Sequence, residues 1–199
     1  MYMYRAQSGF SLVEILVSLS LFTVVAVVSV GSLLVLIEAN GKAQTLKSGM
    51  DNLSFALDNM TRNIRTGYTY HCRQGSMTSL PSTAANCTST TNPGESFAFT
   101  DGETGDRVGY RLGTDVVSGH GVVERCINSC SSNDDWVALT STEVDVQSLA
   151  FTVKGTSDTD ETQPTVMIWI DGLTGDFAET QSDFSIQTTV TQRLLDVDA

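Results

Sequence analysis

The alternation of apolar and polar positions divides the chain into stretches of different character. From Phe10 to Ile37 there are 28 residues, of which Glu14 alone is charged. As a helix this run extends about 42 Å, against a bilayer hydrocarbon core of about 30 Å. A secretory signal has an apolar region of only about 7–15 residues and then a small-residue cleavage site. Here the run is far longer and ends in "LIEANGKAQ". As a core helix it would need more apolar chain around it than the remaining sequence supplies. The run reads as a membrane anchor, and Glu14 then needs a reason. A carboxylate at membrane depth costs about 2.5–3.5 kcal/mol on insertion scales.

Beyond Ile37 the pattern becomes amphipathic. Leu46, Met50, Leu53, Leu57, Met60 and Ile64 recur at alternating intervals of four and three, an apolar stripe on one helical face. The spacing predicts one helix from about Phe10 to Arg65, with a bend at Asn40-Gly41 and a stop at Gly67. The stripe predicts packing against the protein's own sheet. The stretch "YHCRQGSMTSLPSTAANCTSTTNPGE" then reads as loop. Short alternating runs follow, each with a common face: Phe97 and Phe99; Val108, Tyr110 and Leu112; Leu149, Phe151 and Val153; Phe184, Ile186 and Val190. "TVMIWI" at 165–170 is apolar on both faces and predicts a central strand. Turn signals such as "DGETGD" and "DGLTGD" separate the runs, and no helical repeat intervenes. The expected class is α+β, a long N-terminal helix on a mainly antiparallel sheet.

Charge narrows the function. The chain carries 11 Lys+Arg against 23 Asp+Glu, a net charge of −12. Between Gly67 and Ala199 stand 19 acidic and six basic side chains. Such a surface repels phosphate and argues against nucleic acid as a partner. All four cysteines, Cys72, Cys87, Cys126 and Cys130, follow the anchor. An even count on one side of a membrane reads as two disulfides in an oxidising compartment and favours an exported C-terminus. Cys72 with Cys87 would staple the polar loop. Cys126 and Cys130 lie about 13 Å apart in an extended strand, beyond a disulfide's reach. Their bridge requires Ile127-Asn128-Ser129 to turn. Zinc held by these thiols with His71 or His120 is the alternative. Calcium at Asp101, Glu103 and Asp106, or at Asp158, Asp160 and Glu161, competes with plain solvated turns, and neither set has EF-hand spacing. P-loop, zinc-protease and nucleophile-elbow motifs are missing, so the reading is not an enzyme and implies no cofactor.

"Gly9-Phe10-Ser11-Leu12-Val13-Glu14" resembles the processing site of type IV prepilins and type II secretion pseudopilins. In that family a short leader ends in Gly, an aromatic residue follows, and a glutamate stands five positions into the mature chain. The segments "LTSTEVDVQSLAFTV" and "FSIQTTVTQR", with Leu21-Phe22, look like the larger J-type pseudopilins and W-type minor pilins. The resemblance implies a leader over 1–9, a transmembrane helix over 10–37, an amphipathic continuation over 38–66 and a β-rich extracytoplasmic domain over 67–199. It implies cleavage between Gly9 and Phe10 by prepilin peptidase and N-methylation of Phe10. It further implies a role for Glu14 in assembly, as partner to that amine. The implied partners are other pilin or pseudopilin subunits, the peptidase, an inner-membrane assembly platform and membrane lipid. The implied function is a minor subunit that initiates or tips a filament. A membrane-tethered binding module or hydrolase is the competing class.

Overall fold

The computed structural model describes residues 9–89, 91–157, 162–175 and 181–193. Two compact units divide it, Met1–Ala43 and Gln44–Ala199. Helix α1, Leu12–Thr66, is one unbroken element that contributes to both. The helix continues through Asn40 and Gly41, which fall between good helix formers and do not interrupt its hydrogen bonding. In the first unit the large apolar side chains from Phe10 to Ile37 are all exposed. A surface of that size and polarity belongs in lipid rather than water.

In the second unit the predicted stripe meets the core. Leu53, Leu57, Met60 and Ile64 are buried, while Leu46 and Met50 remain half-exposed at its upper end. The helix stops because its last carbonyls find new donors. Gly67 N–H donates to the carbonyls of Asn63 (3.1 Å) and Ile64 (3.0 Å). The Tyr70 hydroxyl donates to the Ile64 and Gly67 carbonyls at 2.6 and 3.1 Å. A Cβ on Gly67 would strike the Phe99 ring, so crowding explains the glycine here.

The sheet expectation holds in type and differs in number. Among the described residues there are two antiparallel sheets. The first is β1 (Tyr68–Arg73), β2 (Ser96–Thr100), β3 (Arg107–Thr114), β4 (Gly121–Ile127) and β5 (Val137–Ala138), in that order. The second is β6 (Val144–Lys154), β7 (Thr165–Thr174) and β8 (Ser182–Thr191). β7 is central, as "TVMIWI" predicts, but only one of its faces is covered. Val166, Ile168 and Ile170 are buried, whereas Trp169 is 46% exposed. Stacked rings fill the core, with Phe97 5.4 Å from Phe151 and Phe99 5.9 Å from Tyr110 between centroids.

The polar stretch after Tyr70 departs most from expectation. Its start is strand β1, and its remainder is a strap between the sheets. Cys72 N–H donates to the Ala85 carbonyl (3.0 Å), tying the strap to β1. Cys87 and Val153 exchange two hydrogen bonds (3.1 and 2.9 Å), as do Gly94 and Phe151 (both 2.8 Å), tying it to β6. Both contacts fall on sheet edges that otherwise lack a neighbour among the described residues. The strap satisfies backbone groups that an open edge would expose.

Candidate functional site: the start of the anchor

Gly9 and Phe10 lie in exposed, non-helical backbone just before α1. Ser11 caps the helix: its Oγ accepts the Glu14 N–H at 3.3 Å, and its carbonyl accepts the same N–H at 3.1 Å. Glu14 therefore occupies the third helical position, in the first turn. Ser11 and Glu14 have the spacing of a capping box, a signal present in the sequence but masked by the apolar run around it. The placement gives Glu14 a local reason, since a carboxylate near a helix N-terminus gains about 0.3–1 kcal/mol. That is smaller than the roughly 2.5–3.5 kcal/mol of insertion. Glu14 is exposed and makes no ion pair among the described residues. The Gly9–Phe10 bond, by contrast, lies in open backbone before the helix.

Four other hydroxyls of the anchor bond to the helix's own backbone. Ser18, Ser20, Thr23 and Ser29 donate to carbonyls three or four residues back at 2.7–2.8 Å. Their polar atoms are thereby satisfied within the helix.

The four cysteines are joined as Cys72–Cys87 and Cys126–Cys130, with Cα separations of 5.6 and 5.8 Å. The second pair closes because Asn128 adopts φ 60° and reverses the chain. Asn128 also accepts the Arg107 N–H (2.9 Å) and donates to Asp106 (2.8 Å). The sulfurs are thus committed away from zinc. His71 and His120 each place Nδ1 on a backbone carbonyl, of Thr83 (2.7 Å) and Thr142 (2.8 Å). Among the described residues no three His, Cys, Asp or Glu side chains converge as a metal site.

Of the calcium candidates, Asp101 uses Oδ1 to accept the Glu103 and Thr104 N–H groups (2.8 and 3.2 Å). Hydrogen bonds from Asn128 and then Thr104 hold the Asp106 carboxyl below its ordinary pKa. These carboxylates shape their own turn. Asp158, Asp160 and Glu161 lie outside the described residues.

Residues 4–36 match the family described as the prokaryotic N-terminal methylation motif. That motif supports the type IV pilin and pseudopilin class, whose members are structural subunits cut by prepilin peptidase and packed against other pilin subunits. Together with the apolar helix it fits a single-pass, membrane-anchored protein. Neither a curated protein nor a solved structure matches the chain.

Proposed function

We propose that the protein is a minor pilin or pseudopilin that helps initiate or tip a filament at the bacterial inner membrane. Met1–Gly9 is the leader, residues 10–37 cross the membrane, and residues 38–199 stand outside the cytoplasm. Prepilin peptidase cuts between Gly9 and Phe10, and the Phe10 amine is methylated. The observation that carries this reading is the register at the anchor's start. The Gly9–Phe10 bond precedes the Ser11 cap directly, and Glu14 follows within one helical turn.

Glu14 then pairs with the Phe10 amine of a neighbouring subunit. Opposite charges about 4 Å apart in a medium of low dielectric recover much of what an unpaired carboxylate forfeits. The two disulfides form after export. The J-type and W-type subunits are the members this chain most resembles.

Mass spectrometry of the membrane-extracted protein tests the processing step. The expected mature chain begins at N-methyl-Phe10. An N-terminus at Met1, or one beyond Ile37, overturns the assignment. Glu14→Ala tests the pairing separately. It is expected to insert at least as readily, because a costly charge is gone, yet to assemble poorly with sister subunits. Wild-type co-purification and filament counts would refute the pairing.

A further inference from the structure

β7 turns Val166, Ile168 and Ile170 into the core, so Met167, Trp169 and Asp171 stand on the outer face of its sheet. Trp169, at the centre of that face, is left nearly half exposed. Its position is nevertheless fixed. The Trp169 Nε1–H donates to Asp171 Oδ1 (2.9 Å) and to Ser185 Oγ (3.2 Å). Asp171 and Ser185 pair across β7 and β8, two places along from Trp169 and its own partner Gln187. The indole therefore lies along the sheet, held at its edge. Asp171 and Ser185 are also walls of a shallow cavity of about 440 Å³, with Gln147, Leu173 and Asp183 around it.

Charge on this face is one-sided. Asp171 and Asp183 line the cavity, and no basic side chain does. Asp145, paired with Leu173 across the sheet, stands at the same end and accepts the Gly121 N–H at 2.8 Å. The only Lys or Arg in the three strands is Lys154. It pairs with Thr165, six residues or about 20 Å along β7 from Asp171. Neither Asp171 nor Asp183 makes an ion pair among the described residues. Elsewhere the chain shows what such a ring and carboxylate hold together. The Arg111 guanidinium lies 4.1 Å over the Trp136 ring while its Nε meets Glu124 Oε2 at 2.7 Å. That trio is complete within the chain. Trp169 and Asp171 supply the ring and the anion of a second one and lack the guanidinium.

We infer that the outer face of β6–β7–β8 receives an arginine-bearing segment of a partner protein, with one guanidinium stacked on Trp169 and donating to Asp171 and a second basic side chain reaching Asp183. A guanidinium fits better than an ammonium, because it is planar and weakly hydrated, stacks on an indole and bonds a carboxylate through its fork. The net charge of −12 draws a basic segment towards the molecule, and the ring decides where it settles. The inference concerns the second unit alone and does not rest on the filament assignment.

The test uses the full chain in detergent and a fluorescent peptide of alternating glycine and arginine. Comparison peptides carry lysine or glutamate in place of arginine. The arginine peptide is expected to bind, the lysine peptide several-fold more weakly, and the glutamate peptide not at all. Trp169→Ala leaves the charge unchanged and is expected to weaken binding of the arginine peptide about three- to tenfold. Asp171→Asn is expected to weaken it to a similar degree. Asp51→Asn makes the same change of charge at an exposed position of α1 and is expected to leave binding within about twofold of wild type. Where Trp169→Ala fails to fold, the comparison of Asp171→Asn with Asp51→Asn decides. No binding of the arginine peptide, equal binding of the lysine or glutamate peptide, or unchanged binding by folded Trp169→Ala overturns the inference. Equal losses in Asp171→Asn and Asp51→Asn overturn it in favour of undirected attraction to an acidic surface.

Discussion

Two buried tyrosines set how the protein meets alkali. Burial pushes the phenol of Tyr110 up to about 12 and raises that of Tyr70 further. In the unfolded chain both titrate near 10. Between about pH 10 and 12 the unfolded state therefore releases protons that the folded state keeps, and stability falls as pH rises. Below pH 10 both states hold their protons and this contribution is intact. Melting curves followed by circular dichroism are expected to show a steep loss above pH 10, and Tyr110→Phe to shift that loss upward. Arg111 gives a second expectation at the same scale. Its Nε lies 2.7 Å from Glu124 Oε2, and its guanidinium sits 4.1 Å over the Trp136 ring. Both charged side chains are mostly buried, at 13% exposure. Glu124→Ala leaves the arginine without its anion and is expected to cost about 1–3 kcal/mol in denaturant unfolding.

The elements differ in how openly the sequence announces them. The helical stripe was legible because burial on a helix repeats at short, regular intervals that no distant residue alters. Met60→Ala, at the centre of that stripe and fully buried, is expected to cost about 2–5 kcal/mol by equilibrium unfolding. Strand β1 and the strap after it were not legible. Their serines, threonines and asparagines have the composition of a loop, and the partners that order them, Phe151 and Val153, lie far along the chain. The split into two sheets was hidden for a similar reason, since pairing register is decided between strands and not within one. Replacing Cys72 and Cys87 together by serine is expected to cost about 3 kcal/mol and to expose the amides of residue 87 and Gly94 to hydrogen exchange before those of β6. Gly94→Ala is expected to disturb the same place, because its new Cβ meets the sulfurs of this bridge.

For the whole molecule, the second unit holds both sheets, the buried half of the helix and all four cysteines. A fragment beginning at Gln44 is expected to fold as a monomer with two disulfides, checked by size-exclusion chromatography and non-reducing peptide mapping. The candidate site was legible where chemistry fixes a short register, at Gly9, Phe10 and Glu14. The meeting of Arg65 and Arg193 was not legible, because the Arg193 N–H reaches the Arg65 carbonyl only when β8 returns beside the end of α1.

The buried stripe of α1 has a mechanical consequence within the second unit. A pull at Gln44 along the axis of this stretch of the helix reaches Leu53, Leu57, Met60 and Ile64 together, so these contacts are sheared in parallel. A pull at Thr66 across that axis peels them one at a time, beginning with Ile64. Forced unfolding is governed by the rate of crossing the unfolding barrier, and shear of several contacts at once crosses it more slowly. In single-molecule stretching, rupture through a handle at Gln44 is expected at higher force than rupture through one at Thr66. The same seam that fills the core thus resists axial load on this part of the helix.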